Sequence, residues 1–106
     1  MTWHEFVFEW DTHKAISNLH KHGVDFETAR LVFLDPYYLS AADRIEAGEQ
    51  RWQTLGEVAG VVVLLVAHTV RLDNDQEVVR LISARAATKS ERKRYEQYRA
   101  EQLRSE

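Results

Sequence analysis

The N-terminal part of the chain carries a strand pattern followed by a helix pattern. In residues 4–10, HEFVFEW, aromatic side chains recur at every second position, which is the period of a half-buried strand. Asp11 can cap the start of a first helix, and Gly23 can end that helix in a left-handed conformation. The apolar side of this helix is predicted to consist of Ala15, Ile16 and Leu19.

A second helix is predicted to begin at Asp25 and to end before Pro36. Asp25 is a suitable N-cap, and a residue that precedes proline avoids the helical region of backbone conformation. The buried side of this helix is predicted to consist of Phe26, Ala29, Val32 and Phe33.

The middle of the chain is predicted to form four strands joined by turns. The apolar run at 61–66 is typical of a central strand that is covered on both faces. Residues 42–49, ADRIEAGE, are interpreted as a polar loop, and residues 59–60 and 72–77 as turns. The predicted strands are residues 37–41, 50–58, 61–71 and 78–84.

A final helix is predicted to begin near residue 89, because Thr88 and Glu91 have the spacing of a capping box. The resulting order is β-α-α-β-β-β-β-α, which is typical of an α+β fold with a mostly antiparallel sheet packed by helices. The length of 106 residues fits one domain, residues 1–106.

Charge is distributed unevenly along the chain. The formal net charge is −3, but residues 80–106 carry eight Lys and Arg against four Asp and Glu, a balance of +4. A basic segment in an acidic chain indicates a polyanionic or acidic partner, and a solvated basic helix is the alternative interpretation.

Composition excludes several classes of protein. There is no cysteine, which excludes disulfides and thiolate metal sites. The longest apolar run is much shorter than the roughly 20 residues of a membrane-spanning helix. No secretory leader follows Met1. These features predict a soluble protein of the cytoplasm that does not bind membranes.

Four polar residues share one side of the predicted first helix, namely Lys14, Asn18, Lys21 and His22. Such a side can hold a phosphate, and histidine changes its charge near neutral pH, which suits it to proton transfer. The alternative is an ordinary solvated side of a helix. His20 lies two residues from His22 and points in another direction, so no metal site and no cofactor is predicted.

Three arginines of the predicted strands, Arg51, Arg80 and Arg85, are candidates for phosphate binding, because a planar guanidinium donates two hydrogen bonds at once. Arg80 and Arg85 are an odd number of residues apart, so they face opposite sides of a regular strand. A bend or bulge near Ser83, or a strand that ends before Arg85, would remove this conflict. The alternative is that these arginines are solubilising charges or interface anchors.

Arg92 and Tyr95 lie on one side of the predicted last helix. Arg92 can bind a phosphate, and Tyr95 can stack on a base or assist proton transfer. The alternative for Tyr95 is that its ring docks the helix on the sheet, which is the preferred interpretation for Tyr98.

Five segments of the chain, taken in order, resemble the BrnT family of type II toxins. The combination of KHGV at 21–24, ISAR at 82–85 and the pair Glu91-Arg92 is specific, whereas each piece alone is weak. The resemblance covers nearly the whole chain except its two ends. The matching segments are FEWDTHKAISNLHKHGVDFETARLVFLDP (8–36), GEQRWQTLG (48–56), VVLLVAHTVR (62–71), RLISARAATKSER (80–92) and Tyr95.

This resemblance implies a RelE-like α+β fold and metal-independent cleavage of RNA. The 2′-hydroxyl of the substrate would attack the adjacent phosphorus, and free RNA is favoured over ribosome-bound RNA. The resemblance also implies a BrnA-like ribbon-helix-helix antitoxin, which would neutralise growth inhibition and repress the shared operon. Operator DNA would be bound only through that antitoxin, in a homodimer or a heterotetramer with it.

The resemblance also assigns roles position by position. His22 becomes the acid–base candidate, and Lys21 a ligand of a flanking phosphate. The residues placed on the scissile phosphate are Arg51, Arg80 and Arg85. In the last helix, Arg92 would bind a flanking phosphate, and Tyr95 would stack on a base or assist proton transfer.

Two departures from the family pattern keep a second interpretation open. Ala86 stands where the family often has a lysine, and the chain is acidic overall. The alternative is a catalytically weak or inactive module that acts mainly by binding the antitoxin. A third interpretation is a small nucleic-acid-binding or scaffolding domain. The joint presence of His22, Arg51, Arg80 and Arg85 favours the ribonuclease.

Overall fold

The computed structural model describes residues 6–105, so His4 and Glu5 of the predicted first strand lie outside the described residues. The order of elements confirms the predicted α+β class. No described helix is both long and apolar enough to cross a membrane. The elements are β1 (Phe6–Trp10), α1 (Thr12–His22), α2 (Phe26–Ala29), a 3₁₀ helix (Arg30–Leu34), β2 (Leu39–Glu46), β3 (Glu49–Val58), β4 (Val62–Asp73), β5 (Gln76–Ala86) and α3 (Lys89–Ser105).

The five strands form one sheet in the order β1-β5-β4-β3-β2. β1 pairs with β5 in parallel, and the other three pairs are antiparallel, as predicted. The predicted central strand is β4, where residues 63–66 are buried. Val61 and Val62, at the start of the same apolar run, are exposed.

The sheet has two faces, named here for the helices that cover them. On the α2 face, Leu64 and Val66 of β4 pack against the second helix and the 3₁₀ helix. The predicted buried residues of that helical segment, Phe26, Ala29, Val32 and Phe33, are all buried. On the α3 face, a smaller core consists of Leu55, Val63, Leu65 and Tyr95.

The helix ends follow the predicted capping residues. The Asp11 carboxylate accepts two backbone N–H bonds, at 2.8 and 3.1 Å, and Gly23 ends α1 with a φ of 70°. The Asp25 carboxylate accepts one backbone N–H at 2.7 Å. In the capping box of α3, the Thr88 N–H donates to Glu91 at 2.9 Å, and the Glu91 N–H donates to the Thr88 hydroxyl at 3.2 Å.

The predicted loop at residues 42–49 is wrong for most of its length. β2 continues to Glu46, and the turn is confined to Ala47 and Gly48, which have positive φ angles of 52° and 77°. β2 is the edge strand and is exposed on both sides, so it lacks the apolar alternation that marks a strand. A register shift between Ala42 and Ile45 further interrupts the period.

The predicted apolar side of α1 is wrong for two of its three residues, because Ile16 and Leu19 are 54% and 48% exposed, whereas Ala15 packs against the core of the α2 face. The buried residue of this helix is Asn18, which is 5% exposed. β1 pairs with β5 only as far as Leu81, so the backbone groups of Ala84 need other partners. The Asn18 amide supplies them, donating to the Ala84 carbonyl at 2.8 Å and accepting from its N–H at 3.0 Å.

The 3₁₀ helix crosses β3 at Gly56, where there is no room for a side chain. A Cβ at this position would lie 2.6 Å from Cγ1 of Val32 and 2.9 Å from its carbonyl oxygen. We therefore expect Gly56→Ala to lower the free energy of unfolding by about 2 kcal/mol in urea titrations. Ala41→Ser, on exposed β2, is the control and should change it by less than about 0.5 kcal/mol. Equal unfolding midpoints for the two variants would contradict this account.

Candidate functional site: an arginine face beside a helix end

A β-bulge in β5 brings two of the predicted arginines to one face of the sheet. β5 contains one extra residue, at position 82, relative to β4. As a result Arg80 lies opposite Thr69 and Arg85 lies opposite Leu65. Thr69 and Leu65 are four residues apart in β4 and therefore point to the same face, the α3 face. Of the alternatives that the sequence left open, the structure shows the bulge, and β5 continues past Arg85 to Ala86. The bulge resolves the odd spacing of the two arginines.

Arginines from the neighbouring strands complete this surface. Trp52 of β3 pairs with His68 of β4, so the same register places Arg51 beside Thr69 on the α3 face. Arg71 lies two residues beyond Thr69 and points the same way. We call the resulting surface the arginine face; it consists of Arg51, Arg71, Arg80 and Arg85.

Each arginine of this face has a carboxylate partner. The shortest ion-pair separations are 3.3 Å for Arg51 to Glu46, 3.1 Å for Arg80 to Glu9 and 2.8 Å for Arg85 to Glu91, and Arg71 also contacts Glu9. Partly exposed ion pairs of this kind contribute only about 0–1 kcal/mol. One Nη group of Arg51 and one of Arg80 contact these carboxylates, so each guanidinium keeps donors that can engage an anionic ligand.

The ion pair of Arg85 and Glu91 is held by more hydrogen bonds than the other ion pairs of this face. Both Nη groups of Arg85 donate to the carboxylate, at 2.8 and 3.0 Å. These bonds hold the pKa of Glu91 well below its ordinary value, at about 2, and raise the pKa of Arg85. Because Glu91 also caps α3, Arg85 fixes the start of that helix against β5 and has fewer free donors for a ligand.

A cavity of about 240 Å³ lies between α1 and the bulge of β5. Lys21 and His22 line it, and their side chains form no hydrogen bond or ion pair within residues 6–105. Ser83 belongs to the cavity wall and lies opposite Ala67, on the α3 face that carries the arginines. The cavity and the arginine face therefore adjoin at the bulge. The cavity is lined by Lys14, Ser17, Asn18, Lys21, His22, Ile82 and Ser83.

Two of the predicted site residues have structural roles instead. Asn18 borders the cavity, but its amide is engaged by Ala84 and by the Val24 carbonyl, at 2.9 Å, so it is not a free phosphate ligand. Tyr95 is 1% exposed, which leaves no ring surface for a base to stack on. Its hydroxyl donates to Asp35, and burial together with this carboxylate raises its pKa, which opposes proton transfer.

The structure confirms the alternative interpretation of Tyr95, in which the ring docks α3 on the sheet. Asp35 links this ring to β3 as well, because its carboxylate accepts the backbone N–H of Glu57 at 2.7 Å. Arg92 is exposed on α3 and forms no ion pair with any residue the structure describes. Of the two predicted residues in the last helix, only Arg92 is available to a ligand.

Glu9 and Arg71 were not predicted as site residues, although both lie on the arginine face. Glu9 stands between Phe8 and Trp10, whose alternation already places it on the opposite face from the aromatic rings. Period-two alternation was thus a usable signal for Glu9. The contacts of Glu9 with β4 and β5 could not be predicted from the sequence, because contacts between distant strands depend on the strand register.

A second cavity, of about 400 Å³, lies on the α2 face and was not predicted. At its base His68 is buried, with Nε2 at 2.7 Å from the Thr54 hydroxyl, which in turn lies 2.6 Å from the Ser40 hydroxyl. Burial lowers the pKa of His68 to about 4. In residues 6–105 no three His, Asp or Glu side chains converge in a way that could hold a metal ion.

These features define an α+β protein whose sheet presents arginines next to a helix end that carries lysine and histidine. The family model described as "Ribonuclease toxin, BrnT, of type II toxin-antitoxin system" matches residues 10–91, so the chain belongs to this family. The family acts together with an antitoxin, as its description states.

A solved structure supports the same assignment. The crystal structure of the Brucella abortus ribonuclease toxin BrnT is 25% identical to this chain and has a TM-score of 0.55. The comparison covers 79% of this chain and 97% of that one. No curated protein matches the sequence.

Proposed function

We propose that this protein is an endoribonuclease toxin that cuts RNA without a metal ion and is neutralised by an antitoxin. The observation that carries the proposal is the bulge of β5. It places Arg80 on the same face as Arg51, and it sets Ser83 against the cavity lined by Lys21 and His22. The bulge thus borders both the arginine face and the cavity that His22 lines, which supports a shared site for cations and a group capable of proton transfer.

In the proposed reaction the 2′-oxygen of a ribose attacks the adjacent phosphorus, and the bond from phosphorus to the 5′-oxygen breaks. The 2′-hydroxyl proton passes to a base, and the leaving 5′-oxygen takes a proton from an acid. The products are a 2′,3′-cyclic phosphate and a free 5′-hydroxyl. His22 is the proposed acid–base residue, and Arg51 and Arg80 stabilise the negative charge that builds up on the phosphorane.

The remaining cations are assigned by how freely they can reach a ligand. Lys14, Lys21 and Arg92 are exposed and would bind flanking phosphates, since each neutralised phosphate strengthens nucleic-acid binding. Arg85 would act mainly by holding α3 in place through Glu91, and would contribute its positive charge to the site.

We further propose that the antitoxin is a ribbon-helix-helix protein that represses the shared operon. Membership of a type II toxin–antitoxin family supports this proposal. The toxin would then reach operator DNA only through the antitoxin, in a homodimer or a heterotetramer. Isolation of the complex with the product of the neighbouring reading frame, followed by an operator-binding assay, tests this part.

The ribonuclease proposal is tested by expressing the protein alone and by incubating purified protein with single-stranded RNA in EDTA. We expect growth arrest, and RNA fragments that end in cyclic phosphate and 5′-hydroxyl groups. RNA with a 2′-deoxyribose at the cleavage site is the control substrate and should stay intact. Normal growth together with intact RNA would contradict the proposal and support an inactive antitoxin-binding module. Cleavage that requires added Mg²⁺ would contradict the metal-free mechanism.

A further inference from the structure

Glu9 is a carboxylate on a surface that otherwise presents arginines. The parallel register of β1 and β5 sets Glu9 opposite Arg80, and one carboxylate oxygen accepts from the Nη1 of Arg80 at 3.1 Å. The other oxygen contacts the Nη1 of Arg71. A single carboxylate of the first strand thus holds two guanidinium groups that come from β4 and β5.

We propose that Glu9 is a positioning residue that holds Arg71 and Arg80 side by side, and that Arg71 binds substrate phosphate together with Arg80. This inference rests on the proposed ribonuclease function. A guanidinium has five N–H donors, and Glu9 engages one Nη group of each arginine. The other Nη group and the Nε of each remain for a phosphate, already held in the orientation that Glu9 imposes.

The charge of Glu9 has a second effect that opposes the first. As an anion on the arginine face, it repels the phosphates that the arginines attract. Removing its charge should therefore strengthen binding of a nucleic acid, while the loss of orientation should slow the chemical step. Replacing a residue that only stabilised the fold would not strengthen nucleic-acid binding while slowing the chemical step.

The test uses Glu9→Gln, which keeps the shape of the side chain and removes its charge. We expect kcat for RNA cleavage to fall by about tenfold, since small displacements of a positioned group cost at least this much. We expect the affinity for a single-stranded 2′-deoxy oligonucleotide, which cannot be cleaved, to rise by about twofold to fivefold. Glu9→Asp, which restores the charge, should recover part of kcat and reverse the gain in affinity.

Arg71→Ala tests the second half of the proposal. It should weaken oligonucleotide binding by about threefold to tenfold and lower the slope of log affinity against log salt by about one unit. Its effect on kcat should be smaller than that of Glu9→Gln. Glu27→Gln is the matched control, because Glu27 also pairs with an arginine, Arg30, at 3.0 Å, but lies away from the arginine face. Glu27→Gln should leave both kcat and the affinity for the oligonucleotide unchanged.

Unchanged kcat in Glu9→Gln, or weaker oligonucleotide binding in that variant, would overturn the role of Glu9. Oligonucleotide binding by Arg71→Ala equal to that of the unsubstituted protein would overturn the role of Arg71. If the unsubstituted protein cleaves no RNA, the proposed function fails and the positioning role of Glu9 fails with it, whereas the oligonucleotide measurements still decide whether Arg71 binds phosphate. Circular dichroism and the urea midpoint of each variant establish that it is folded.

Discussion

Replacement of Arg80 by alanine is expected to slow RNA cleavage by about 10²–10³-fold. Arg80 lies on the arginine face opposite Thr69 and keeps donors that Glu9 does not use. The phosphorane carries more negative charge than the bound RNA, so a cation placed there lowers the barrier more than it strengthens binding. The loss should therefore fall mainly on kcat and less on KM.

Two further variants sharpen this experiment. Arg80→Lys keeps the charge but not the planar fork, so it should retain only part of the activity. Arg30→Ala removes an arginine that also pairs with a carboxylate, that of Glu27 at 3.0 Å, but away from the arginine face, and should cleave at the normal rate. Because the Arg80 ion pair is partly exposed, the variant should keep its fold. Cleavage by Arg80→Ala within threefold of the unsubstituted rate would exclude Arg80 from the reaction.

Acidification from pH 6.5 to pH 4 is expected to lower the free energy of unfolding by about 3 kcal/mol through His68 alone. Burial lowers the pKa of His68 from 6.5 to about 4 in the folded protein. Between these values the unfolded chain binds a proton that the folded protein does not. The contribution of His68 to the free energy of unfolding is therefore fully present above pH 6.5 and is lost as the pH falls toward 4.

Urea unfolding at half-unit intervals of pH measures this effect. His68→Gln cannot take up a proton, so its stability should change much less across the same range. Glu91 has a depressed pKa of about 2, so its contribution is lost mainly below the ordinary value of 4.5 and barely overlaps the window of His68. A flat profile in the unsubstituted protein, or an equal slope in His68→Gln, would contradict this assignment.

The features predicted correctly from the sequence were those set by neighbouring residues. Asp11, Gly23 and the Thr88–Glu91 box define helix ends through contacts that span a few residues. The central strand was marked by its own apolar run. The odd spacing of Arg80 and Arg85 was also visible locally and indicated an irregularity near Ser83, but whether this was a bend, a bulge or a strand end came only from the structure.

The features that sequence reasoning missed depend on contacts between distant segments. β2 has no buried side, so its polar sequence gave no strand period. α1 turns Asn18 inward because the backbone of Ala84, 66 residues away, needs hydrogen-bond partners. The hydrogen bonds that Asn18 forms with Ala84 outweigh the stabilisation that burial of Ile16 and Leu19 would give. Tyr95 is buried because its hydroxyl reaches Asp35, which no local pattern reveals.

The hydrogen bonds of Asn18 also bear on how the molecule avoids self-association. An unpaired strand edge offers N–H and C=O groups to which another chain can add as an extra strand. Past the end of β1, the Asn18 amide forms hydrogen bonds with backbone groups of β5 that an adjacent strand would otherwise pair with. At the opposite edge, the register shift and charges of β2 serve the same purpose. Exposed backbone groups near both margins of the sheet are thus kept from strand addition by different means, on β5 by a single amide and on β2 by irregularity.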